Sequence, residues 1–255
     1  MRRMKTLKLQ IENGVGWICF HRPKVRNAVN QTMMEELEKV LDDWEENKEV
    51  KAIVFAGDEH SFVSGGDLNE FHKLTKKEEI YPVMHRMGQL LMRIEKFEKP
   101  TIAAVEATAV GGGCEVAVSC HFILASEKAT FGFVQRRLGI TTGWGGGSRL
   151  LRRVGRSKGL YLLLTGERVS SKQALQYGLV DQVISVEGFR ESVQAFAEKI
   201  SEGSLAVIQE YLRISKGLIE GLSPEELVQM ESLACSTLWE SEEHYQAVES
   251  FLSKK

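Results

Sequence analysis

Apolar and polar positions alternate at the start of the chain, in Leu7-Lys8-Leu9-Gln10-Ile11, and the period then changes repeatedly. Val15 to Phe20 reads as a strand, whereas Asn30 to Glu46 places Met33, Leu37, Val40, Leu41 and Trp44 on one helical face. A strand at Ala52 to Ala56 follows, then a helix bearing Val83, Met87, Leu90, Leu91 and Ile94, then the strand Thr101 to Val105. The run Gly111-Gly112-Gly113 leads into a helix predicted over Cys114 to Leu124, with strands expected near Phe122 to Ala125 and Val180 to Ile184. Strands interleaved with helices predict an α/β fold.

From about Val186 the strand signal ends and helical spacing takes over, in Phe189, Val193, Phe196, Ala197 and Ile200. Ser223-Pro224-Glu225-Glu226 has the form of a capping box with proline at the first helical position. The last segment carries Tyr245, Val248, Phe251 and Leu252 on one face, which needs burial against the chain's own core or a neighbouring subunit. No internal repeat or low-complexity tract is visible.

Composition narrows the picture. With 255 residues, 43% of them hydrophobic, the chain can bury a full core as one large domain or as a domain with a helical appendage. Thirty-three basic against 35 acidic residues give a formal charge of -2, so nothing global draws in nucleic acid or an anionic membrane. An anionic ligand would have to be met by local charge. The longest apolar stretches fall far short of the roughly 20 residues that span a bilayer. The basic start Met1-Arg2-Arg3-Met4 runs straight into the first strand without a signal-peptide core, so a cytoplasmic location is expected. Cys19, Cys114, Cys120 and Cys235 lack the paired spacing of a metal site and read as small core residues. Cys114 beside the glycine run is also a candidate nucleophile, although no base for it can be identified.

Two glycine turns carry the chemistry. Gly111-Gly112-Gly113-Cys114-Glu115 sets open backbone N–H groups beside a carboxylate at a helix start. Phe62-Val63-Ser64-Gly65-Gly66-Asp67-Leu68 repeats the arrangement after an earlier strand. One N–H from each, converging on a carbonyl oxygen, would form an oxyanion hole worth roughly 3–4 kcal/mol per donor. The alternative is two unrelated tight loops. Neither turn ends in the Gly-Lys-Ser/Thr of a phosphate loop, and neither has dinucleotide-binding spacing.

These turns, together with His21-Arg22-Pro23-Lys24-Val25-Arg26-Asn27-Ala28, Lys99-Pro100-Thr101-Ile102-Ala103-Ala104-Val105, Phe131-Gly132, Gly143-Trp144-Gly145-Gly146, Thr165-Gly166, Ala174 and Gly178-Leu179-Val180, resemble the crotonase superfamily over nearly the whole chain. This is the enoyl-CoA hydratase/isomerase family. The resemblance implies a spiral of ββα units over 1–185, holding the coenzyme A and oxyanion sites. It also implies a helical region over 186–255 that serves trimerisation and lids the pocket, in a homotrimer or homohexamer. It makes Gly66 and Gly112 the oxyanion donors and Glu115 the catalytic carboxylate. An acyl-CoA thioester would be the substrate, with no separate cofactor and no metal. Its coenzyme A would lie across Lys24, Val25 and Arg26 and against the turn of Ser64, Gly65, Asp67 and Leu68. Read from the residues alone, Lys24 and Arg26 fit either a phosphate contact or a solvated basic loop.

One position departs from the family pattern. Hydratases of this kind use a second glutamate where this chain has Gln135, and an amide cannot exchange a proton at neutral pH. Gln135 is either a pocket-side polar residue or a group that holds substrate by hydrogen bonding. Four activities follow from the resemblance. The first is 2-enoyl-CoA hydration with Glu115 alone. The second is decarboxylation of a methylmalonyl- or ethylmalonyl-CoA-like substrate, for which residues 133–140 with Trp144-Gly145-Gly146 resemble ethylmalonyl-CoA decarboxylases, which also lack the second glutamate. The others are double-bond isomerisation and acyl-CoA binding without turnover.

Overall fold

The computed structural model describes residues 4–253, so the arginines of the basic start lie outside the described residues. An antiparallel hairpin opens the fold, with β1 (Leu7–Glu12) and β2 (Val15–Phe20) joined through left-handed Asn13 and Gly14. A 3-10 turn at Pro23–Val25 precedes α1 (Gln31–Glu45), whose cap is the Asn30 side chain accepting from the Met33 N–H at 3.0 Å.

One pattern then recurs three times: a strand in a large sheet, a strand in a small sheet, and a helical return. The first turn of the spiral is β3 (Ala52–Ala56), β4 (Ser61–Val63), α2 (Leu68–Phe71) and α3 (Lys77–Glu95). The second is β5 (Thr101–Val105), β6 (Thr108–Val110) and α4 (Gly112–Ala117). The third is β7 (Phe122–Ser126), β8 (Thr130–Gly132), a 3-10 segment at Val134–Leu138, α5 (Gly146–Val154) and α6 (Arg156–Thr165). Completing the sheets are β9 (Arg168–Ser170), α7 (Ser171–Tyr177) and β10 (Gln182–Ile184), followed by α8 (Phe189–Ile200), α9 (Leu205–Glu220), α10 (Pro224–Trp239) and α11 (Glu242–Ser253).

The large sheet runs β1-β2-β3-β5-β7-β10, parallel from β2 onward, and the small sheet runs β4-β6-β8-β9. The repeat is one of topology and leaves no trace as sequence self-similarity. Both faces of the large sheet are buried, which is why its inner strands read as unbroken apolar runs. Ile18, Ile53, Phe55, Ala103, Val105 and Ile123 face α1, α3 and α4, while Trp17, Val54, Ile102, Ala104 and Leu124 face Phe189, Val193 and Ala197 of α8. The period-2 alternation thus splits one sheet between two cores. By packing, α8 belongs with the sheets. α9 buries only Gly217, and α10 and α11 bury no residue.

Two sequence expectations change. The helix after the glycine run ends at Ala117 instead of reaching Leu124, because the chain must turn through Ser119-Cys120-His121 to enter β7, where Phe122 to Ala125 pair with β5. The strand expected from Val180 begins at Gln182, after the left-handed Gly178 cap of α7. Among the cysteines, Cys114 and Cys120 are buried as expected, but Cys19 is half-buried and Cys235 is exposed on α10.

Candidate active site

The two glycine turns leave neighbouring strands of the small sheet, β4 and β6, which pair in parallel. They therefore come together in space. A Cβ built on Gly65, whose φ is +111°, would lie 3.4 Å from the Gly112 nitrogen. Gly111, at φ +57°, likewise takes a conformation that side-chain-bearing residues avoid. Among the described residues, neither the Gly66 N–H nor the Gly112 N–H has a hydrogen-bond partner.

The first turn is fixed from behind by residues 22–29. Val29 N–H donates to Gly65 O at 2.8 Å and Asp67 N–H donates to Val29 O at 2.8 Å. Arg22 pairs with buried Asp67 at 2.8 Å. Asn27, fully buried and left-handed, donates to Asp58 and to the Ser61 carbonyl and accepts from the Arg22 N–H. Ser64 donates through its N–H to Arg26 O at 3.1 Å and through its hydroxyl to Val25 O at 3.2 Å. Lys24 and Arg26 stand exposed above this frame, as does Leu68, and neither cation has an ion-pair partner among the described residues.

Glu115 sits in the first turn of α4 with only 2% of its surface exposed. Its Oε2 accepts from the main-chain N–H groups of Trp144 at 2.9 Å and Gly146 at 2.8 Å. Its Oε1 accepts from Gln135 Nε2 at 3.0 Å and, more loosely, from Gly143 N–H at 3.4 Å. Burial pushes the Glu115 carboxyl above the usual carboxylate range, and these four donors oppose that shift without cancelling it. A Cβ on Gly146 would overlap the Glu115 Cγ, so only glycine lets the α5 start close on the carboxylate.

Gln135, 8% exposed, donates through Nε2 to Glu115, and among the described residues its Oε1 has no hydrogen-bond partner. Buried acceptors are seldom left unpaired. The orphaned oxygen marks a place for a ligand donor. Trp144 is 3% exposed, and its carbonyl accepts from Arg149 Nη1 at 2.9 Å while Arg149 Nε pairs with Glu95 at 2.9 Å. That buried ion pair anchors the loop which clamps Glu115.

The structure thus brings Gly66, Gly112, Glu115 and Gln135 to one place, with the Lys24–Arg26 loop bonded to Ser64. Cys114 is no nucleophile: burial raises its thiol to about 12, and it donates to Ala109 O and accepts from Gly132 N–H. Sequence reasoning missed the clamp of Gly143, Trp144 and Gly146. Its signal was present as glycines opening a helix, the same signal that marked the other turns. Among the described residues no cluster could hold a metal ion, and no helix is long and apolar enough to cross a membrane.

Two sheets wound as a ββα spiral, with a buried carboxylate behind paired glycine turns, are the architecture of the crotonase fold. Residues 10–255 match the model of the family described as enoyl-CoA hydratase/isomerase, and the chain belongs to that family. It is 35% identical to a probable enoyl-CoA hydratase of Bacillus subtilis, covering 99% of this chain and 97% of that protein. Ethylmalonyl-CoA decarboxylase of Xenopus tropicalis is 30% identical, over 90% of this chain and 77% of that protein. The crystal structure of an enoyl-CoA hydratase from Bacillus anthracis superposes with a TM-score of 0.93 at 26% identity, over 98% of this chain and 97% of that one.

Proposed function

We propose that the protein hydrates a 2-enoyl-CoA thioester, with Glu115 as its only proton-transfer residue. The N–H groups of Gly66 and Gly112 hold the thioester oxygen. Glu115, ionised, takes a proton from water as the water oxygen bonds to C3, and the C2=C3 electron pair moves through the thioester onto its oxygen. The enolate then collapses, and Glu115 returns the proton to C2. Lys24 and Arg26 meet the phosphates, with Val25 and the turn of Ser64, Gly65, Asp67 and Leu68 lining the coenzyme A path. The chain works as a homotrimer or homohexamer, residues 1–185 carrying the site and 186–255 the assembly helices.

The observation that carries this reading is the orphaned Gln135 Oε1 beside Glu115. Water offers two protons: one goes to Glu115, and Gln135 Oε1 can accept the other. A malonyl-type carboxylate has no donor to offer and would meet an unpaired oxygen and a buried anion. The test sets crotonyl-CoA hydration beside CO₂ release from ethylmalonyl-CoA, in the native protein and in Glu115→Gln. Hydration that falls by about 10²–10⁴ in the variant supports the reading. Decarboxylation without hydration overturns it.

A further inference from the structure

The loop that clamps Glu115 is itself held by a charged side chain in an unfavourable place. Arg149 lies in the first turn of α5, 7% exposed, and its guanidinium folds back over the start of its own helix to reach residue 144. A cation at the positive end of a helix gains nothing from the dipole, and a buried ion pair is weak evidence for stability. Stability therefore does not account for the arrangement, whereas the fork of the guanidinium makes two separate connections. Nη1 donates to the Trp144 carbonyl at 2.9 Å, and Nε donates to Glu95 Oε2 at the end of α3, also at 2.9 Å. Glu95, its side chain 14% exposed, pairs with Arg152 as well, and the His121 Nε2 approaches its main-chain carbonyl at 3.2 Å.

The peptide that Arg149 grips is one that can turn over. Gly145, at φ +86° and ψ 8°, has the geometry of the third residue of a type II turn. A type I turn differs from it by a flip of the central peptide, here the Trp144–Gly145 peptide whose carbonyl Arg149 holds. A Cβ on Gly145 would lie 2.7 Å from Nη1, so glycine admits both the positive φ and the guanidinium. On either side of this peptide stand the N–H groups of Trp144 and Gly146, which both bond Glu115 Oε2.

We propose that Glu95 and Arg149 form a latch on the Trp144–Gly145 peptide and are positioning residues for Glu115. This rests on the reading of Glu115 as the base of the proposed reaction. With the latch closed, two main-chain donors converge on one carboxylate oxygen. With it open, the peptide is free to rotate and the donors on its two flanks lose their common aim. Those donors favour the ionised carboxyl against its burial, so an open latch leaves Glu115 protonated to higher pH. Among the described residues neither Glu95 nor Arg149 bonds to Glu115, and the effect passes through the main chain.

The test reads the Glu115 carboxyl itself beside turnover. Protein carrying isotope-labelled glutamate carboxyls is titrated by NMR, and the Glu115 resonance is assigned by its loss in Glu115→Gln. Arg149→Met cannot donate, and Arg149→Lys keeps the charge without the fork. Each should raise the midpoint by about one pH unit, the scale of weakening one hydrogen bond to a charged group. The acid limb of kcat should rise with it, while KM for crotonyl-CoA changes little. Arg152→Met removes the other partner of Glu95 but leaves the latch, so its midpoint should match the native one. An unchanged midpoint in a folded Arg149→Met overturns the proposal, as does an equal rise in Arg152→Met. If Arg149→Met fails to fold, Arg149→Lys decides. A midpoint raised as expected in a protein that does not hydrate crotonyl-CoA would sink the proposed reaction and leave the latch standing.

Discussion

Glu115 accepts four hydrogen bonds and still titrates high, because the cost of burying its charge exceeds what the four donors return. As the base proposed above it acts only when ionised, so activity is expected to fall as pH drops through its raised value. The acid limb of kcat should lie above the ordinary carboxylate value of 4.5. Gln135→Glu places a second carboxyl 3.0 Å from Glu115 Oε1. Like charges that close cannot both ionise freely, so the limb should move further up, read from a pH–rate profile as the titration of a pair. His121 titrates in the opposite sense. Its Nδ1 accepts from the Thr101 N–H at 3.0 Å, and burial lowers its value from 6.5 to about 4. Being depressed on folding, it contributes stability above about 6.5 that is lost as pH falls through about 4. Native protein should lose about 3 kcal/mol more than His121→Gln across that window, measured by denaturant unfolding. Of these residues Glu115 was legible from its place beside three glycines. Its clamp was not, since main-chain donors from a distant loop leave no side-chain identity to read.

At the scale of elements, α5 begins with glycine because its start meets the start of α4 at Glu115. Gly146→Ala would push a methyl group into the Glu115 Cγ. The expected result is a loss of about 10²-fold or more in kcat, the scale of a misplaced catalytic group, with the thioester's KM changed far less. Such a split, in a variant whose circular dichroism is native, would show that α5 positions the carboxylate. The strands and long helices were readable because burial leaves either an unbroken apolar run, as in Val15 to Phe20 with both faces covered, or one apolar face at the helical period, as in α1. The predicted run to Leu124 failed because Val118-Ser119-Cys120 and Phe122-Ile123-Leu124, apolar or small, continue a helix pattern as readily as they open a strand. Only the pairing of β7 between β5 and β10 decides where the helix stops.

Across the whole molecule, the polarity of the surface is uneven. α10 and α11 bury nothing, and Leu233, Trp239, Tyr245 and Leu252 are all more than half exposed. A cavity of about 960 Å³ between α9, α10 and α11 is lined by Val207, Tyr211, Cys235, Leu238 and Trp239. Isolated soluble chains seldom leave such apolar surface bare. In the homotrimer or homohexamer proposed above, this surface meets another copy. Light scattering should give a mass of three or six chains. Cys235, exposed in the single chain, should react slowly with a thiol reagent in the assembly and quickly once Trp239→Lys disperses it. A monomer of native stability would refute that arrangement. The need for a partner was legible in the apolar face of residues 245–252, but whether it lay within the chain was not, because periodicity reports that a face is buried and never what buries it.

The parallel pairing of β4 and β6 has a further consequence. Adjacent strands stand about 4.8 Å apart whatever side chains they carry, so the two turns inherit their separation from the sheet itself. If the two turns hold the thioester oxygen as proposed, the aperture between them is close to a constant of the backbone. Evolution or design can exchange Glu115 or Gln135 and redirect the reaction while the grip stays the same width, which frees the chemistry to drift on a mount that side-chain mutation scarcely tunes.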